Sequence, residues 1–525
     1  MQAQKAEALA RHRSDMESSI PWTAAMLRAL EHEGFVVTHV RHHDGSTWFV
    51  RVTPPPPLQE GFGLAPEVLV VAVQGEVQAR TLHQVNVEVV QSQLRLDGNL
   101  VIVADQGPKL ADRLQRIGGH GQRVPWVPGA GGVWPPLTDV LRASLPEFDA
   151  YEERDAVRGA QLVGREVEVA SLRTRVVRGD AVGLFGLRKM GKTSVMRAVT
   201  DWFDPMSGLR DGARGAADAE ALGDGIAVVI DASTLIERTV DEVADELHDA
   251  LRRRMTAAGE AMVPSDRRGL ARWKLAGEAL LDQGRRLCVV IDEYDLLFEG
   301  ESGAGAIPGI GKLFRLVRGW AQTRQGLVSL ILIGRDPTYL SAPELDGVTS
   351  PLTAWCTPMW LGPLGRNKAT ELLRKLGRRV GLDVGPASAE LAQHWTGGHP
   401  LLHRQFGSAL RTVTRGHSKA WGAPTDGVAA QSPRCFVERE GVLDVMREVV
   451  ALLHKRYPPA LEVLLEMAHG GSWEAALAKR DGAEGVAART LQNFGLVTAE
   501  RVIPEGLAWY LAHISTLPDT VRKTG

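Results

Sequence analysis

Cysteine is nearly missing from this sequence: 525 residues hold three, Cys288, Cys356 and Cys435, far apart along the chain. That spacing gives neither a disulfide framework nor a thiolate metal site, and it fits a reducing compartment. Net charge is missing too, since 61 Lys and Arg against 63 Asp and Glu leave −2. Global attraction to nucleic acid or to an anionic membrane is thereby excluded, and only a local basic patch could supply it. No apolar run approaches the roughly 20 residues that a bilayer-spanning helix needs. The first residues, among them Gln4, Lys5, Glu7, Arg11 and Arg13, are polar and do not read as a leader. Tandem repeats are also lacking. A cytoplasmic protein without a membrane partner is expected.

What is present is ordinary for a globular chain, 44% hydrophobic and 24% charged, long enough for roughly three or four domains. Residues 1–150 read as a small α/β domain. Trp22 to Glu33 has helical periodicity, and Phe35 to Val40 and Trp48 to Val52 read as strands joined by an Asp44-Gly45 turn. Pro54 to Pro57 reads as a polyproline spacer. Glu67 to Val73 and Asn99 to Ala104 are continuous apolar strands, with a helix expected over 81–94 between them. Pro125 to Gly132 reads as a loop and Pro136 to Asp155 as a connecting arm. From residue 156 to 355 the pattern becomes repeated strand–helix units, predicting a three-layer parallel sheet whose ligand lies at the strands' carboxyl ends. A helical lid is expected over 356–425, with 416–433 as a polar linker, and a winged-helix domain over 436–520. The winged helix is predicted from three helices followed by a β-hairpin over Gly495 to Ile503.

The chemistry is carried by Gly186-Leu187-Arg188-Lys189-Met190-Gly191-Lys192-Thr193-Ser194. It matches the Walker A pattern in full, preceded by the apolar run Ala181 to Phe185 and followed by Val195, Met196, Ala198 and Val199 at helical spacing. Backbone N–H groups of such a loop cradle phosphate at a helix N-terminus. Lys192 would reach the β/γ oxygens, and the Thr193 hydroxyl would ligate Mg²⁺. The run Leu287 to Ile291 ends in Asp292-Glu293, the Walker B arrangement. There Asp292 would hold Mg²⁺, and Glu293 would orient or deprotonate water. An acid at Glu293 favours hydrolysis over binding alone. Arg335 ends the next strand, where it could sense phosphate in its own subunit, reach a neighbour's nucleotide, or simply pair with a nearby acid. Gly397-Gly398-His399-Pro400 opens a helix, and His399 and Pro400 could press on a base or ribose; Arg404 follows one turn later.

Taken in order, Leu162-Val-Gly164-Arg165-Glu166, the Walker A loop, Val-Val-Ile-Asp292-Glu293, Gly334-Arg335, Leu361-Gly-Pro-Leu364 and Gly-Gly-His399-Pro400 resemble the STAND branch of AAA-type P-loop ATPases. That branch includes archaeal-type and replication-initiator-like relatives. The resemblance implies ATP with Mg²⁺, places Gly164 and Arg165 near adenine, and implies slow, regulatory hydrolysis. It further implies a homo-oligomeric switch whose winged helix packs on the ATPase core when inactive, with a role in bacterial defence or stress signalling. No array of sensor repeats follows the expected winged helix, so input is expected from the N-terminal domain, a separate protein partner or nucleic acid.

The N-terminal domain shows no catalytic pattern. Ala72 to Arg80 lacks the acid and E-x-K arrangement of a Mg²⁺ nuclease, and Glu67, Glu88 and Asp105 remain unarranged carboxylates. Neighbours in His42-His43-Asp44 point to opposite faces of a strand, which argues against a metal site. A partner- or ligand-binding role is expected. Of the expected winged helix, Arg489, Thr490, Gln492 and Asn493 could face DNA, but one cation is a weak phosphate footprint. Arg252-Arg253-Arg254 reads as solvated or helix-end charge. A DNA-associated ATPase, such as a loader or transposition regulator, is the alternative function.

Overall fold

The computed structural model describes residues 2–513 except 45, 80, 82–95, 108, 118–121, 153–155, 158–161, 205–224, 237–238, 258–261, 263–264, 299–305, 336, 480–483 and 499. The chain divides into two compact units. One comprises Met1–Gly164, Gly365–Asp444 and Pro504–Tyr510, the other Arg165–Leu364, Val445–Ile503 and Leu511–Gly525.

In the first unit, β1 (Val36–Asp44), β2 (Thr47–Thr53), β3 (Glu67–Val73), β4 (Leu96–Ala104) and β5 (Gln122–Trp126) lie side by side in that order. β1 to β3 pair antiparallel and β3 to β5 parallel. Alternate residues of β3 enter different cores: Val68, Val70 and Ala72 join Met26, Leu27 and Leu30, while Leu69, Val71 and Val73 join Leu110 and Leu114. Period-two side chains buried on both faces explain the unbroken apolar reading of β3. The sheet of this region is therefore covered on both faces, as expected. The helix expected over 81–94 lies outside the described residues, apart from Thr81 at its start.

Three local expectations differ. Pro56 and Pro57 open helix Pro56–Phe62 instead of extending a polyproline spacer, because a first helical turn tolerates a missing N–H. Pro125 and Trp126 finish β5, an edge strand on which proline is allowed. Within the expected arm, Leu137–Ser144 is helical and buries Leu137 and Leu141, four residues apart.

The helices Arg366–Arg379, Pro386–Thr396 and Pro400–His417, expected as a lid, belong to this same unit. Polar contacts tie them to its N-terminal part: the Tyr151 hydroxyl donates to Leu373 O at 2.7 Å, and Arg404 Nη2 donates to Ala150 O at 2.8 Å. Gly63 lies so close to Lys375 that a Cβ there would sit 2.3 Å from its carbonyl oxygen. The expected linker over 416–433 is packed, with Thr425 and Ser432 both buried.

The second unit holds β6 (Ala181–Phe185), β7 (Ile226–Asp231), β8 (Leu287–Asp292), β9 (Val328–Gly334), a short hairpin of β10 (Glu344–Leu345) and β11 (Val348–Thr349), and β12 (Cys356–Trp360). The main sheet runs β12-β6-β9-β8-β7, parallel throughout. Every residue of β6 and β9 is buried, so both faces are covered. This is the three-layer parallel sheet of a P-loop NTPase fold, with β6 leading into the Walker A loop and helix Lys192–Phe203 following it.

C-terminal helices include Glu440–Arg456, Pro458–Ala468, Trp473–Ala478 and Glu484–Asn493. The expected hairpin over Gly495 to Ile503 differs: among the described residues one turn stands there, with Thr498 N donating to Val502 O at 2.8 Å. Arg501 adopts φ 61° in that turn. Pro504, which cannot donate to a ladder, precedes helix Glu505–His513 instead.

Candidate functional site

The Walker A loop owes its shape to residues in the left-handed region: Lys189 at φ 63° and Gly191 at φ 93°. Gly186, at φ 151°, also lacks room, since a Cβ would lie 2.5 Å from Leu361 O. Leu187 and Met190 turn inward, at 3% and 1% exposure, and anchor the loop in the core. Ser194 is buried on helix Lys192–Phe203, whereas the Arg188 side chain is exposed and ion-paired with Glu448.

Lys192 Nζ donates to Gly186 O at 2.8 Å and Leu187 O at 2.9 Å, so the ammonium rests on the loop's own carbonyls. Burial pulls its pKa down to about 8, against the opposing pull of Asp292, Asp295 and Glu293. The loop therefore presents a cation at neutral pH that is poorly solvated and has little to lose by meeting an anion.

The two Walker segments meet. Thr193 Oγ1 donates to Asp292 Oδ2 at 3.0 Å, and Asp292 Oδ1 accepts from Glu293 N at 2.9 Å. Desolvation raises the Asp292 pKa, partly countered by those two hydrogen bonds. A hydroxyl and a carboxylate brought together beside a phosphate loop are an oxygen donor set suited to Mg²⁺. Glu293 is exposed and takes φ 50°, which turns the chain into the short 3-10 segment Tyr294–Leu297.

Arg335 directly follows β9, with its side chain 45% exposed and Nε 4.0 Å from Asp295 Oδ2. Its backbone is tied on both sides: Arg335 O accepts from Gly186 N at 3.3 Å, and Arg335 N donates to Asp295 Oδ2 at 2.7 Å. Asp295 was not singled out from the sequence, although Asp-Glu-Tyr-Asp carries a third acid whose spacing could have drawn notice.

Arg165 is 3% exposed, with its guanidinium bonded to Met190 O at 2.9 Å, Gly362 O at 2.7 Å and Glu168 at 3.0 Å. It thus braces the loop's backbone from behind. Gly164, at φ 77°, and His399 with Pro400 belong to the first unit. There His399 is buried and caps its own helix, Nδ1 accepting from Leu402 N at 3.4 Å, with Pro400 in the first turn. Arg404 is committed to the carbonyls of Ala150 and Tyr151. The run Arg252-Arg253-Arg254 is paired residue by residue with Asp249, Glu246 and Asp204. His42 packs on Trp48 and His43 on Phe49, in keeping with opposite faces of β1. Among the described residues no cluster of three metal-ligating side chains occurs, and no helix is long and apolar enough to cross a membrane.

No protein-family profile and no curated protein matches the chain. Among solved structures, a Walker-type ATPase of Pyrococcus abyssi is 18% identical with a TM-score of 0.48, covering 69% of this chain and 99% of that one. The Aeropyrum pernix ORC2 protein in ADPNP–ADP complexes is 12% identical with a TM-score of 0.41, over 71% of this chain and 96% of that one. The Aeropyrum pernix ORC1 protein in complex with DNA is 17% identical with a TM-score of 0.35, over 70% of this chain and 95% of that one.

Proposed function

We propose that the chain is an ATP-binding and ATP-hydrolysing switch. The observation that carries this reading is the 3.0 Å contact between Thr193 and Asp292, which joins the phosphate loop to the acidic end of β8. Loop N–H groups and the first turn of helix Lys192–Phe203 receive the β-phosphate, and Lys192 exchanges its carbonyl partners for β/γ oxygens. Thr193 and Asp292 would hold Mg²⁺, which when bound would supply charge neutralisation for the phosphates. Glu293 takes the proton of a water whose oxygen bonds to the γ-phosphorus. The bond from that phosphorus to the β–γ bridging oxygen breaks, and ADP and inorganic phosphate leave. Arg335 meets the developing charge, in its own subunit or across to a neighbour's nucleotide. On the family resemblance alone, Arg165 stands on the adenosine side of the loop that it braces.

The switch half of the proposal is supported by contacts within the second unit. Glu448 pairs with Arg188 of the loop, Arg456 donates to the Tyr339 hydroxyl at 2.8 Å, and Tyr457 lies 3.3 Å from Thr338. The C-terminal helices thus touch both the phosphate loop and the segment after β9, two places where nucleotide state would be felt. In this reading 1–150 is a partner-binding domain, 156–355 the ATPase core, 356–425 the lid and 436–520 the C-terminal helical domain, working in the cytoplasm. Nucleotide state governs self-association and a separate protein partner. On the family resemblance alone, the switch extends to bacterial defence or stress signalling. Fluorescent ATP binding tests the site: Lys192→Ala should weaken it by about a hundredfold, as expected for losing a charged contact in a desolvated cradle. Unchanged affinity would remove the loop from the account.

A further inference from the structure

Asp295 is the third acid of Asp292-Glu293-Tyr294-Asp295, and neither Walker pattern calls for it. The left-handed turn at Glu293 sends the next residues inward, and the Asp295 side chain ends 4% exposed. Burying a carboxylate this far is costly unless donors meet it. Oδ2 accepts from Arg335 N at 2.7 Å and lies 4.0 Å from Arg335 Nε. A carboxylate receiving a backbone N–H is a charge-assisted contact, about twice as strong as a neutral one. The approach is close because residue 334 is glycine. A Cβ there would lie 2.6 Å from Asp295 Oδ2 and 2.4 Å from the Tyr294 ring. Beyond Arg335 the bonds continue: its carbonyl accepts from Gly186 N at 3.3 Å, and Gly186 O accepts from Lys192 Nζ at 2.8 Å. One buried acid thus stands at the head of a chain of contacts leading through the Arg335 peptide to the first glycine of the loop and its lysine.

We propose that Asp295 is a positioning residue for ATP turnover: it fixes the peptide and the side-chain base of Arg335 and, through them, the opening of the phosphate loop. The inference rests on the ATPase reading above. It assigns Asp295 no contact with nucleotide; its action passes through Arg335.

The test is a double-mutant cycle in the full chain, with kcat and KM for Mg-ATP measured for wild type, Asp295→Asn, Arg335→Ala and the double variant. Asparagine is isosteric, so the melting temperature and fluorescent ATP affinity should stay near wild type. Loss of the acid's hold should lower kcat about tenfold or more with KM within about threefold, the split expected when orientation and not binding is lost. The double variant should be no slower than the slower single one, because both changes remove the same placed group. Gly334→Ala, which crowds the carboxylate while keeping it, gives a second route and should lower kcat likewise. Multiplying losses in the double variant, or wild-type kcat in Asp295→Asn, would overturn the inference. Absence of turnover in wild type would instead overturn the ATPase reading, and this inference with it.

Discussion

Arg379 and Asp97, 282 positions apart in the chain, form an ion pair inside the first unit with side chains 4% and 0% exposed. Asp97 Oδ2 also accepts from Ala65 N at 3.2 Å, and Arg379 Nη2 also donates to Gly63 O at 3.2 Å. A helix expected as part of a nucleotide lid is thereby locked onto the β-sheet domain that precedes the ATPase core.

Breaking one side of that pair should be costly. Asp97→Asn leaves the guanidinium buried without its counter-charge, a change worth about 3–5 kcal/mol. Urea unfolding should show that loss, whereas Asp97→Leu with Arg379→Met should recover most of it by replacing both charges with apolar volume. An Asp97→Asn midpoint equal to wild type would show that the pair does not hold the unit together.

Acid should weaken the same unit through His403. Its ring is fully buried, with Nδ1 2.9 Å from Thr396 Oγ1, and burial pushes its pKa down to about 4. An unfolded histidine takes its proton near pH 6.5. The unfolded chain therefore binds the extra proton first as pH falls, and stability that is complete above about 6.5 declines toward 4. Urea midpoints measured across that window should fall more steeply in wild type than in His403→Leu. Equal slopes would show that His403 titrates normally.

Much of this was legible in the sequence, for definable reasons. Short, β-branched apolar runs such as Leu287 to Ile291 read as buried strands by length and residue type, and Gly186 to Ser194 matches a phosphate-loop pattern in full. The meeting of Thr193 with Asp292 follows from strand order, since β9 alone separates β6 from β8. Elsewhere the signal was local while the outcome was decided by distant partners. Arg165, expected near adenine, and Arg404, one turn after His399-Pro400, are each engaged by backbone carbonyls that no spacing rule could supply. The hairpin expected over Gly495 to Ile503 rested on Val497, Val502 and Ile503 reading as strand by type, whereas among the described residues a single turn stands there and Pro504 leads into a helix. Asp295 could be seen as a third acid, but not its role, because its partner, the N–H of Arg335, belongs to backbone forty positions on.

The central claim is that Glu293 performs hydrolysis at a loop that binds ATP without it. Glu293 is exposed at the end of β8 and anchored through its backbone on Asp292, so glutamine can replace it without disturbing a buried contact. The most direct measurement pairs phosphate release with equilibrium ATP binding for wild type and Glu293→Gln in Mg²⁺. Wild type should release phosphate, while Glu293→Gln should bind ATP within about threefold of wild type and turn over at least about a hundredfold more slowly, as expected for losing a general base. Equal turnover in the two proteins, or no phosphate release by wild type, would contradict the account.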